Sequence, residues 1–293
     1  MLLTTLTTAN LRLYQGPLVA DLRYPVTLSY TGIARVDSVG PGVVGLAPGD
    51  HVYPNWYRAC GHCSMCRADR MVGCENVPES GHNMLIGEQY ESGLQDYVVL
   101  PQDRLWRVPH HVPLESAALI GALGVSLQAT SALQPGPGDT LLVVGAGPIG
   151  WGILQHAKLR GARVVVVDVR EDRLDQARSY GADVTLLAAG DARAAVVKAC
   201  GAPPLLVADA SGTVEGSQLA FSAAARGGTI AVIGVTTNPI TQHFLIHKGL
   251  TVHGIGGATG HRRVIDLLAA GRLDLSSAIT HRYQFSSLKE AFE

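Results

Sequence analysis

Short runs of apolar residues recur through the second half of the chain, and each is followed by residues with helical spacing. The runs at 141–144 and 164–167 are too short for ordinary helices and are rich in β-branched side chains. Such runs predict strands that are buried on both faces of a sheet. Between them, Ile153, Leu154 and Ala157 share one side of a predicted helix that ends at Gly161. The segment therefore predicts a strand, a helix and a second strand in succession.

The same alternation continues to about residue 270. Further strands are predicted at 184–187, 205–209, 229–233 and 250–255, and further helices at 172–180, 191–200, 214–225 and 261–270. Six strands with helices between them predict an α/β fold with a doubly wound parallel sheet, the Rossmann architecture.

A glycine motif occupies the turn after the first of these strands. Gly145, Gly147 and Gly150 form the pattern GxGxxG. The first glycine permits a tight turn, the second lets a pyrophosphate approach the backbone, and the third lets the helix pack close to the strand. We predict that this turn, with Pro148 and Ile149 inside it, binds a dinucleotide at the helix N-terminus. The alternative is an ordinary glycine-rich turn.

The residue that ends the second strand decides which dinucleotide is expected. Asp168 lies about 20 residues beyond the glycine motif, the offset at which an acid contacts the adenosine ribose. Its carboxylate can accept hydrogen bonds from both ribose hydroxyls and would repel a 2′-phosphate, so NAD is expected. Arg170 and Arg173 follow closely and leave NADP open as the alternative.

The first half of the chain has a different pattern. Residues 31–52 alternate apolar and polar side chains between glycines and prolines, which predicts a small β-rich region. Residues 93–101 predict one further strand, and residues 114–133 predict a helix. The sequence Pro-Gly-Pro-Gly-Asp at 135–139 then interrupts the pattern, and we place a domain boundary there.

Four of the five cysteines lie within 15 residues: Cys60, Cys63, Cys66 and Cys74. The first three are spaced so that a tight loop can present their thiolates to one ion, and the fourth completes a tetrahedron. Four sulfur ligands with no open position are typical of structural zinc. An iron–sulfur cluster uses similar ligands, and ordinary buried cysteines are a further alternative. We predict one structural Zn²⁺, with His62 outside its ligand set.

Composition narrows the classes of function. The chain of 293 residues has a formal net charge of −1, which gives no electrostatic reason to expect nucleic acid or an anionic membrane as a partner. No apolar run reaches the length of a membrane span, and the first residues lack the pattern of a secretory signal. The clustered cysteines favour a reducing compartment. We therefore expect a cytoplasmic protein that acts on a small molecule.

Several segments together resemble the medium-chain dehydrogenase/reductase family, in its zinc-containing alcohol, sorbitol and threonine dehydrogenase branch. They are GDHV at 49–52, the cysteine lobe at 60–74, SGLQDYVVLP at 92–101, the glycine turn at 145–150 and GGTIAVIGV at 227–235. The resemblance implies a GroES-like β-rich catalytic domain at 1–134, an NAD(P)-binding domain at 135–275 and a segment at 276–293 that returns to the catalytic domain.

The resemblance also implies roles for residues of the nucleotide domain. Arg173 is expected near the adenosine ribose, and Ile233, Gly234 and Val235 are expected beside the nicotinamide. Members of the family often pair through the edge strand of this domain, here 250–255, so a homodimer or homotetramer is expected. The family has further segments before and after the matched stretch, so a smaller catalytic domain is expected here.

The catalytic zinc ligands of the family do not carry over. Its first-ligand loop corresponds to residues 7–10, its GHE motif to residues 29–31 and its third ligand to Gly121. A catalytic zinc needs three protein ligands, so we do not expect an ordinary zinc-hydroxyl mechanism. The candidate proton donors at the vacated position are Tyr30, Thr31 and Thr7, with His82 in a loop after the cysteine lobe.

These observations lead to one main hypothesis and two alternatives. The main hypothesis is an NAD(P)-dependent oxidoreductase with structural zinc only. It would transfer hydride to or from an activated double bond, an imine or a carbonyl of a small metabolite. The first alternative is a catalytically silent relative that binds the nucleotide as a sensor or partner subunit. The second is an ordinary zinc-dependent alcohol or polyol dehydrogenase.

Overall fold

Two units make up the part of the chain that the computed structural model describes. The first comprises Met1–Gly121 and His261–Glu293, and the second comprises Ala122–Gly260. The described residues are 1–16, 27–29, 31–55, 60, 62–68, 74–76, 92–234, 236, 242–257 and 260–293. Each unit is built on a sheet of its own, antiparallel in the first and parallel in the second.

The first unit contains a four-stranded sheet in the order β1-β2-β3-β4. Its strands are β1 (Leu3–Thr4), β2 (Gly32–Arg35), β3 (His51–Pro54) and β4 (Leu105–Val108). The GDHV segment forms the turn into β3, where the Asp50 carboxylate accepts a hydrogen bond of 2.9 Å from the Ala47 N–H. The same carboxylate lies 3.0 Å from Arg107 on β4, so this acid links the turn to a neighbouring strand. The β-rich region expected at 31–52 thus contains β2 and β3.

The second unit contains a six-stranded parallel sheet in the order β10-β9-β8-β5-β6-β7. Its strands are β5 (Thr140–Val144), β6 (Arg163–Asp168), β7 (Val184–Leu187), β8 (Leu206–Asp209), β9 (Thr229–Val232) and β10 (Thr251–Gly254). Residues 141–144 of β5 and 164–167 of β6 are almost completely buried, as expected for strands covered on both faces. The predicted doubly wound sheet is confirmed.

Helices precede, separate and follow these strands. In chain order they are α1 (Thr8–Gln15), α2 (Ser64–Arg67), α3 (Leu114–Ala118), α4 (Ile120–Leu133), α5 (Pro148–Leu159), α6 (Glu171–Ser179), α7 (Ala192–Cys200), α8 (Val214–Ala223), α9 (Gln242–Lys248), α10 (His261–Ala269) and α11 (Leu288–Phe292). Single 3₁₀ turns occur at Gln102–Arg104, Ser276–Ala278 and Phe285–Ser287.

The strand order reverses between β5 and β8, which are adjacent in the sheet although three helices separate them in sequence. Val144 at the end of β5 pairs with Asp209 at the end of β8 and with Val167 of β6. Ligands of open parallel sheets bind beyond the carboxyl ends of the strands at such a reversal. The glycine turn at 145–150 leaves β5 at this point.

Helix α4 accounts for the difference between the observed boundary at Gly121 and the predicted one at 134/135. The predicted boundary at 275/276 differs because α10 and the residues after it belong to the first unit. Ser126 donates a hydrogen bond of 2.9 Å to the carbonyl oxygen of Ile149, at the start of α5. A Cβ atom on Gly152 of α5 would lie 2.4 Å from the Ser126 Oγ, so the two helices touch closely. Most of α4 therefore packs with the parallel sheet, and the units divide at Gly121 and His261.

The local predictions and the structure differ in several places, and the single helix predicted at 114–133 is two helices, α3 and α4. Residues 93–101 form no strand, although all of them are described. Helices α1 and α9 were not predicted, since neither has a clear apolar period. At the start of α1, the side-chain oxygen of Asn10 accepts hydrogen bonds of 2.9 Å from both the N–H and the hydroxyl of Thr7, which caps the helix.

Candidate functional site

The glycine turn at the end of β5 is shaped by close backbone packing. Gly145 has φ +99°, and a Cβ atom there would lie 2.8 Å from backbone atoms of Ala210. A Cβ on Gly150 would lie 1.9 Å from the carbonyl oxygen of Gly145. Both positions therefore need glycine for the fold itself.

Gly147 differs from its two neighbours. It has φ −92° as the N-cap of α5, and a Cβ atom there would meet no atom of the described residues within 4 Å. Among the described residues, no contact excludes a larger side chain at this position. The space above Gly147 is open, and it lies at the start of a helix whose first turn contains no acidic side chain. The backbone N–H groups of a first helical turn have no partner inside the helix and attract anions. The turn thus fits a pyrophosphate.

Asp168 ends β6 beside this turn and is almost completely buried. Its Oδ2 accepts a hydrogen bond of 2.6 Å from the Ala146 N–H, and its Oδ1 accepts one of 2.9 Å from the Arg170 N–H. Each carboxylate oxygen can accept more than one hydrogen bond. The fixed carboxylate therefore retains capacity for the two ribose hydroxyls of a dinucleotide.

Two arginines next to Asp168 bear on the choice between NAD and NADP. Arg170 forms an ion pair with Asp172, and this pairing raises the pKa of the guanidinium. Arg173 lies 4.0 Å from Asp168 Oδ2 and is partly exposed. A 2′-phosphate would have to compete with Asp168 for the charge of Arg173 and with Asp172 for the charge of Arg170. The arrangement fits NAD better than NADP.

The segment after β9 reaches the same edge of the sheet. The N–H groups of Ile233 and Gly234 donate hydrogen bonds of 2.9 Å and 3.1 Å to the carbonyl oxygen of Asp209. A Cβ on Gly234 would lie 2.2 Å from the Gly212 nitrogen, so the two backbone segments are in direct contact. The third predicted residue here, Val235, lies outside the described residues.

The four clustered cysteines converge in the first unit. Their sulfur atoms all lie within 4.8 Å of one another. The Sγ atoms of Cys60 and Cys66 are 3.9 Å apart, and those of Cys63 and Cys74 are 4.0 Å apart. Sulfurs at tetrahedral corners about 2.3 Å from one zinc ion are about 3.8 Å apart, whereas disulfide sulfurs are about 2.05 Å apart. The cluster therefore fits a structural zinc ion.

Hydrogen-bond donors surround these sulfur atoms. The backbone N–H groups of Cys60, Cys63 and Cys66 each donate to a sulfur of another cysteine, at 3.3 to 3.4 Å. The Asn76 side chain donates to Cys60 at 3.2 Å. That bond is the largest of the interactions that lower the pKa of Cys60 to about 5, and the Cys66 N–H is the largest that lowers the pKa of Cys63. The loop thus favours thiolates, the form that binds metal.

Thr31 and Gly121, two of the positions at which catalytic zinc ligands were sought, lie side by side in the first unit. A Cβ on Gly121 would lie 2.8 Å from Thr31 Cγ2 and 2.9 Å from the Tyr53 hydroxyl. Thr31 is buried, and its hydroxyl is hydrogen bonded to the hydroxyl of Thr5. The space of a side chain at position 121 is therefore filled by Thr31 and Tyr53.

Comparison with known proteins agrees with this geometry. A family model described as an alcohol dehydrogenase GroES-like domain matches residues 2–110, and one described as a zinc-binding dehydrogenase matches residues 148–270. The L-threonine 3-dehydrogenase of Anaeromyxobacter sp. (strain K) is 30% identical, over 92% of this chain and 78% of that protein. The chain belongs to the zinc-binding dehydrogenase family. The expected GroES-like domain and the expected class of oxidoreductase are both confirmed.

Solved structures give the same result for this zinc-binding dehydrogenase. A short-chain alcohol dehydrogenase from Escherichia coli CFT073, solved with NADH, is 25% identical with a TM-score of 0.84, covering 98% of this chain and 84% of that one. A Sinorhizobium meliloti 1021 protein solved with NADP is 26% identical with a TM-score of 0.79, covering 92% and 80%.

The predicted catalytic candidates of the dehydrogenase have different outcomes. Tyr30 and His82 lie outside the described residues. Thr7 is described, and its hydroxyl donates to the Asn10 side chain as part of the cap of α1. Thr31 is buried beside Gly121, as described above. None of the helices in the described part of the chain has the length and apolar character of a membrane span.

Sequence reasoning missed two residues near Gly121. Tyr53 is one, and its ring centroid lies 5.2 Å from that of the other, His261. His261 is buried, and desolvation lowers its pKa to about 4, so its imidazole is neutral near pH 7. The Nε2 atom of His261 has no hydrogen-bond partner among the described residues. Both side chains meet only through the tertiary fold, and no local pattern marks them.

Proposed function

We propose that this zinc-binding dehydrogenase uses NAD(H) to transfer hydride to or from a small metabolite and holds a single, structural zinc ion. The observation that carries the proposal is the open space over Gly147 next to the buried Asp168 carboxylate. Among the described residues no contact excludes a side chain at this position, whereas a pyrophosphate bound close to the backbone would exclude one.

Each part of the cofactor has a partner in the proposed site. The first turn of α5 would hold the pyrophosphate, Asp168 would bind the adenosine ribose with Arg173 nearby, and the backbone at Ile233 and Gly234 would border the nicotinamide. The cofactor supplies the hydride acceptor or donor when it is bound. The protein's own part is to orient the cofactor and to exclude water. NAD is preferred because Asp168 and its neighbours disfavour a 2′-phosphate.

The four thiolates of Cys60, Cys63, Cys66 and Cys74 would hold the zinc ion. Since all four ligands come from the protein, no position remains for a substrate, and the metal would stabilise its loop rather than act on a carbonyl group.

The chemistry at the substrate would depend on side chains that donate a proton rather than on a second zinc. Thr31 and Gly121 stand where metal ligands would be needed, and neither side chain offers a ligand that zinc prefers. Thr31, with the undescribed Tyr30 and His82 and with Thr7, remains our set of candidate proton donors. A substrate whose carbon already accepts hydride, such as a conjugated enone or an imine, needs least help from such groups. L-Threonine and simple alcohols belong in the substrate panel because the matched relatives carry those names.

The experiment is to measure zinc per chain on the purified protein and to titrate the same sample with NADH and NADPH by fluorescence. We expect one zinc per chain and tighter binding of NADH than of NADPH. Two zinc ions per chain would instead support the hypothesis of an ordinary zinc-dependent dehydrogenase. A protein that binds neither NADH nor NADPH would refute the proposed cofactor site.

One observation favours a second candidate, a nucleotide-binding relative without catalytic activity. Thr31 and Tyr53 are both almost completely buried and fill the space at Gly121, so this part of the first unit presents little room for a substrate. A protein that binds NADH but turns over no member of the panel in either direction would support this candidate. Turnover of any member above the rate measured without the protein would reject it.

For the oligomer we propose pairing through β10, because this strand is at one edge of the parallel sheet and its outer hydrogen-bonding groups have no neighbouring strand in the described sheet. Light scattering after size exclusion tests the proposal. A dimer or tetramer that a Val252→Pro variant converts to a monomer would support it. A wild-type monomer would refute it.

A further inference from the structure

Asp209 is a fully buried acid at the reversal of strand order, and nothing described so far uses its side chain. It ends β8 and pairs in register with Val144, the last residue of β5. A buried carboxylate is costly unless hydrogen bonds compensate its lost hydration. Its partners therefore indicate what the residue holds in place.

The carboxylate of Asp209 binds donors from two different segments. Its Oδ1 accepts hydrogen bonds from the Ser211 N–H at 3.1 Å and from the Ser211 hydroxyl at 2.7 Å. Its Oδ2 accepts one from the hydroxyl of Ser217 on α8. These bonds fix the short backbone segment 210–212 between the end of β8 and the first turn of α8.

Segment 210–212 in turn touches both sides of the proposed cofactor crevice. Its Ala210 and Ser211 atoms lie 2.8 Å from where a Cβ of Gly145 would be. Its Gly212 nitrogen lies 2.2 Å from where a Cβ of Gly234 would be. These are backbone contacts without a side chain that could adjust, so a shift of the segment must move the glycine turn or the end of β9.

The order of the strands assigns this segment to one half of the cofactor. Asp168, the proposed ribose ligand, is at the end of β6, and the pyrophosphate turn is at the end of β5. A dinucleotide that lies across the carboxyl edge must extend its other half over β8 and β9, on the opposite side of β5. The segment 210–212 lies at the end of β8.

We propose that Asp209 is a positioning residue for the nicotinamide half of NAD(H), which it serves by holding segment 210–212 against Gly145 and Gly234. This inference rests on the proposed function. The two acids would then serve different halves of the cofactor. Asp168 would bind the adenosine half directly, and Asp209 would act on the nicotinamide half through the backbone.

The test compares NADH with AMP, which contains the adenosine half alone, in wild type, Asp209→Asn and Ser211→Ala. Loss of hydrogen bonds to a buried charge should raise the Kd for NADH about tenfold in Asp209→Asn and about fivefold in Ser211→Ala. The Kd for AMP should stay within about twofold, because the ribose site is unchanged. Ser222→Ala is the matched control, since that hydroxyl donates to the Leu219 carbonyl at the far end of α8.

An equal loss of NADH and AMP affinity would overturn the inference, since it would indicate general damage to the unit. Unchanged NADH affinity in both variants would overturn it as well. If Asp209→Asn does not fold, Ser211→Ala decides the outcome alone, because it removes a single hydroxyl. If the wild-type protein does not bind NADH, whether or not it binds AMP, the proposed function is refuted. Failure of the proposed function is therefore distinguishable from failure of this inference.

Discussion

Replacing Gly147 by alanine tests whether this glycine is needed for ligand binding or for folding. At Gly147 the φ of −92° suits any residue, and in the described part of the chain the added methyl group meets no atom within 4 Å. Gly147→Ala should therefore change the free energy of unfolding of the apoprotein by no more than about 1 kcal/mol. The reduced entropy of the unfolded chain raises it, whereas alanine is a poorer N-cap than glycine and lowers it. The methyl group would occupy the space proposed for the pyrophosphate.

The expected loss of affinity follows from the hydrogen bonds that the methyl group would prevent. A hydrogen bond between a backbone N–H and a phosphate contributes about 1.5–3 kcal/mol, so losing one should raise the Kd for NADH about 10- to 100-fold. The assay is a fluorescence titration with NADH, paired with thermal or urea unfolding of the apoprotein.

Gly150→Ala serves as the opposite case. Its methyl group would lie 1.9 Å from the carbonyl oxygen of Gly145, so we expect the apoprotein to lose about 1–3 kcal/mol of stability. Gly40→Ala, at a surface glycine with open space around it, should leave NADH binding unchanged and leave the free energy of unfolding unchanged or raise it by about 0.4–1 kcal/mol. Wild-type NADH affinity in Gly147→Ala would refute the reasoning, and so would a loss of apoprotein stability as large as that of Gly150→Ala.

Three further predictions concern other parts of the molecule. Asp168→Ala should raise the Kd for NADH about tenfold. It should also reduce or reverse the preference for NADH over NADPH, measured as the ratio of the two Kd values. An unchanged ratio would contradict the proposal that Asp168 binds the ribose. Cys66→Ser should abolish the bound zinc in a metal assay, whereas Cys200→Ser should retain it. Desolvation lowers the pKa of His261 to about 4 in the folded state, whereas the free side chain titrates near 6.5. As the pH decreases from 6.5 to about 4, the unfolded chain therefore binds a proton that the folded protein does not, and the free energy of unfolding decreases. We expect the free energy of unfolding, measured with urea, to decrease less between pH 7 and pH 5 in His261→Phe than in the wild type, by about 2 kcal/mol. The same pH dependence in both proteins would contradict the lowered pKa of His261.

Local patterns were sufficient to predict much of the second unit. The strand at 141–144, the glycine turn and the strand that ends at Asp168 are adjacent in sequence, so residue type and spacing determine them together. The same holds for the cysteines, since a loop of 15 residues brings their sulfurs together with little help from the rest of the chain. Where the determinants lie far apart in sequence, the predictions were less complete. Residues 93–101 have the composition of a strand but form none, although the N–H groups of Gly93 and Leu94 donate to the carbonyl oxygens of Ser29 and Leu28.

Within the candidate site, too, a residue that belongs to a local motif was predicted and one outside any motif was not. Asp168 was identified because the motif specifies an acid at that distance, whereas Asp209 occupies the equivalent position at the end of β8 and was passed over. Both are buried acids that end parallel strands, and both accept hydrogen bonds from the backbone N–H of a residue two positions further on. What separates them is the neighbour: Asp168 faces the glycine turn directly, through the Ala146 N–H, while Asp209 reaches it through the backbone of 210–212. An acid that ends a strand next to the reversal of strand order is therefore a candidate for the crevice even when no motif includes it.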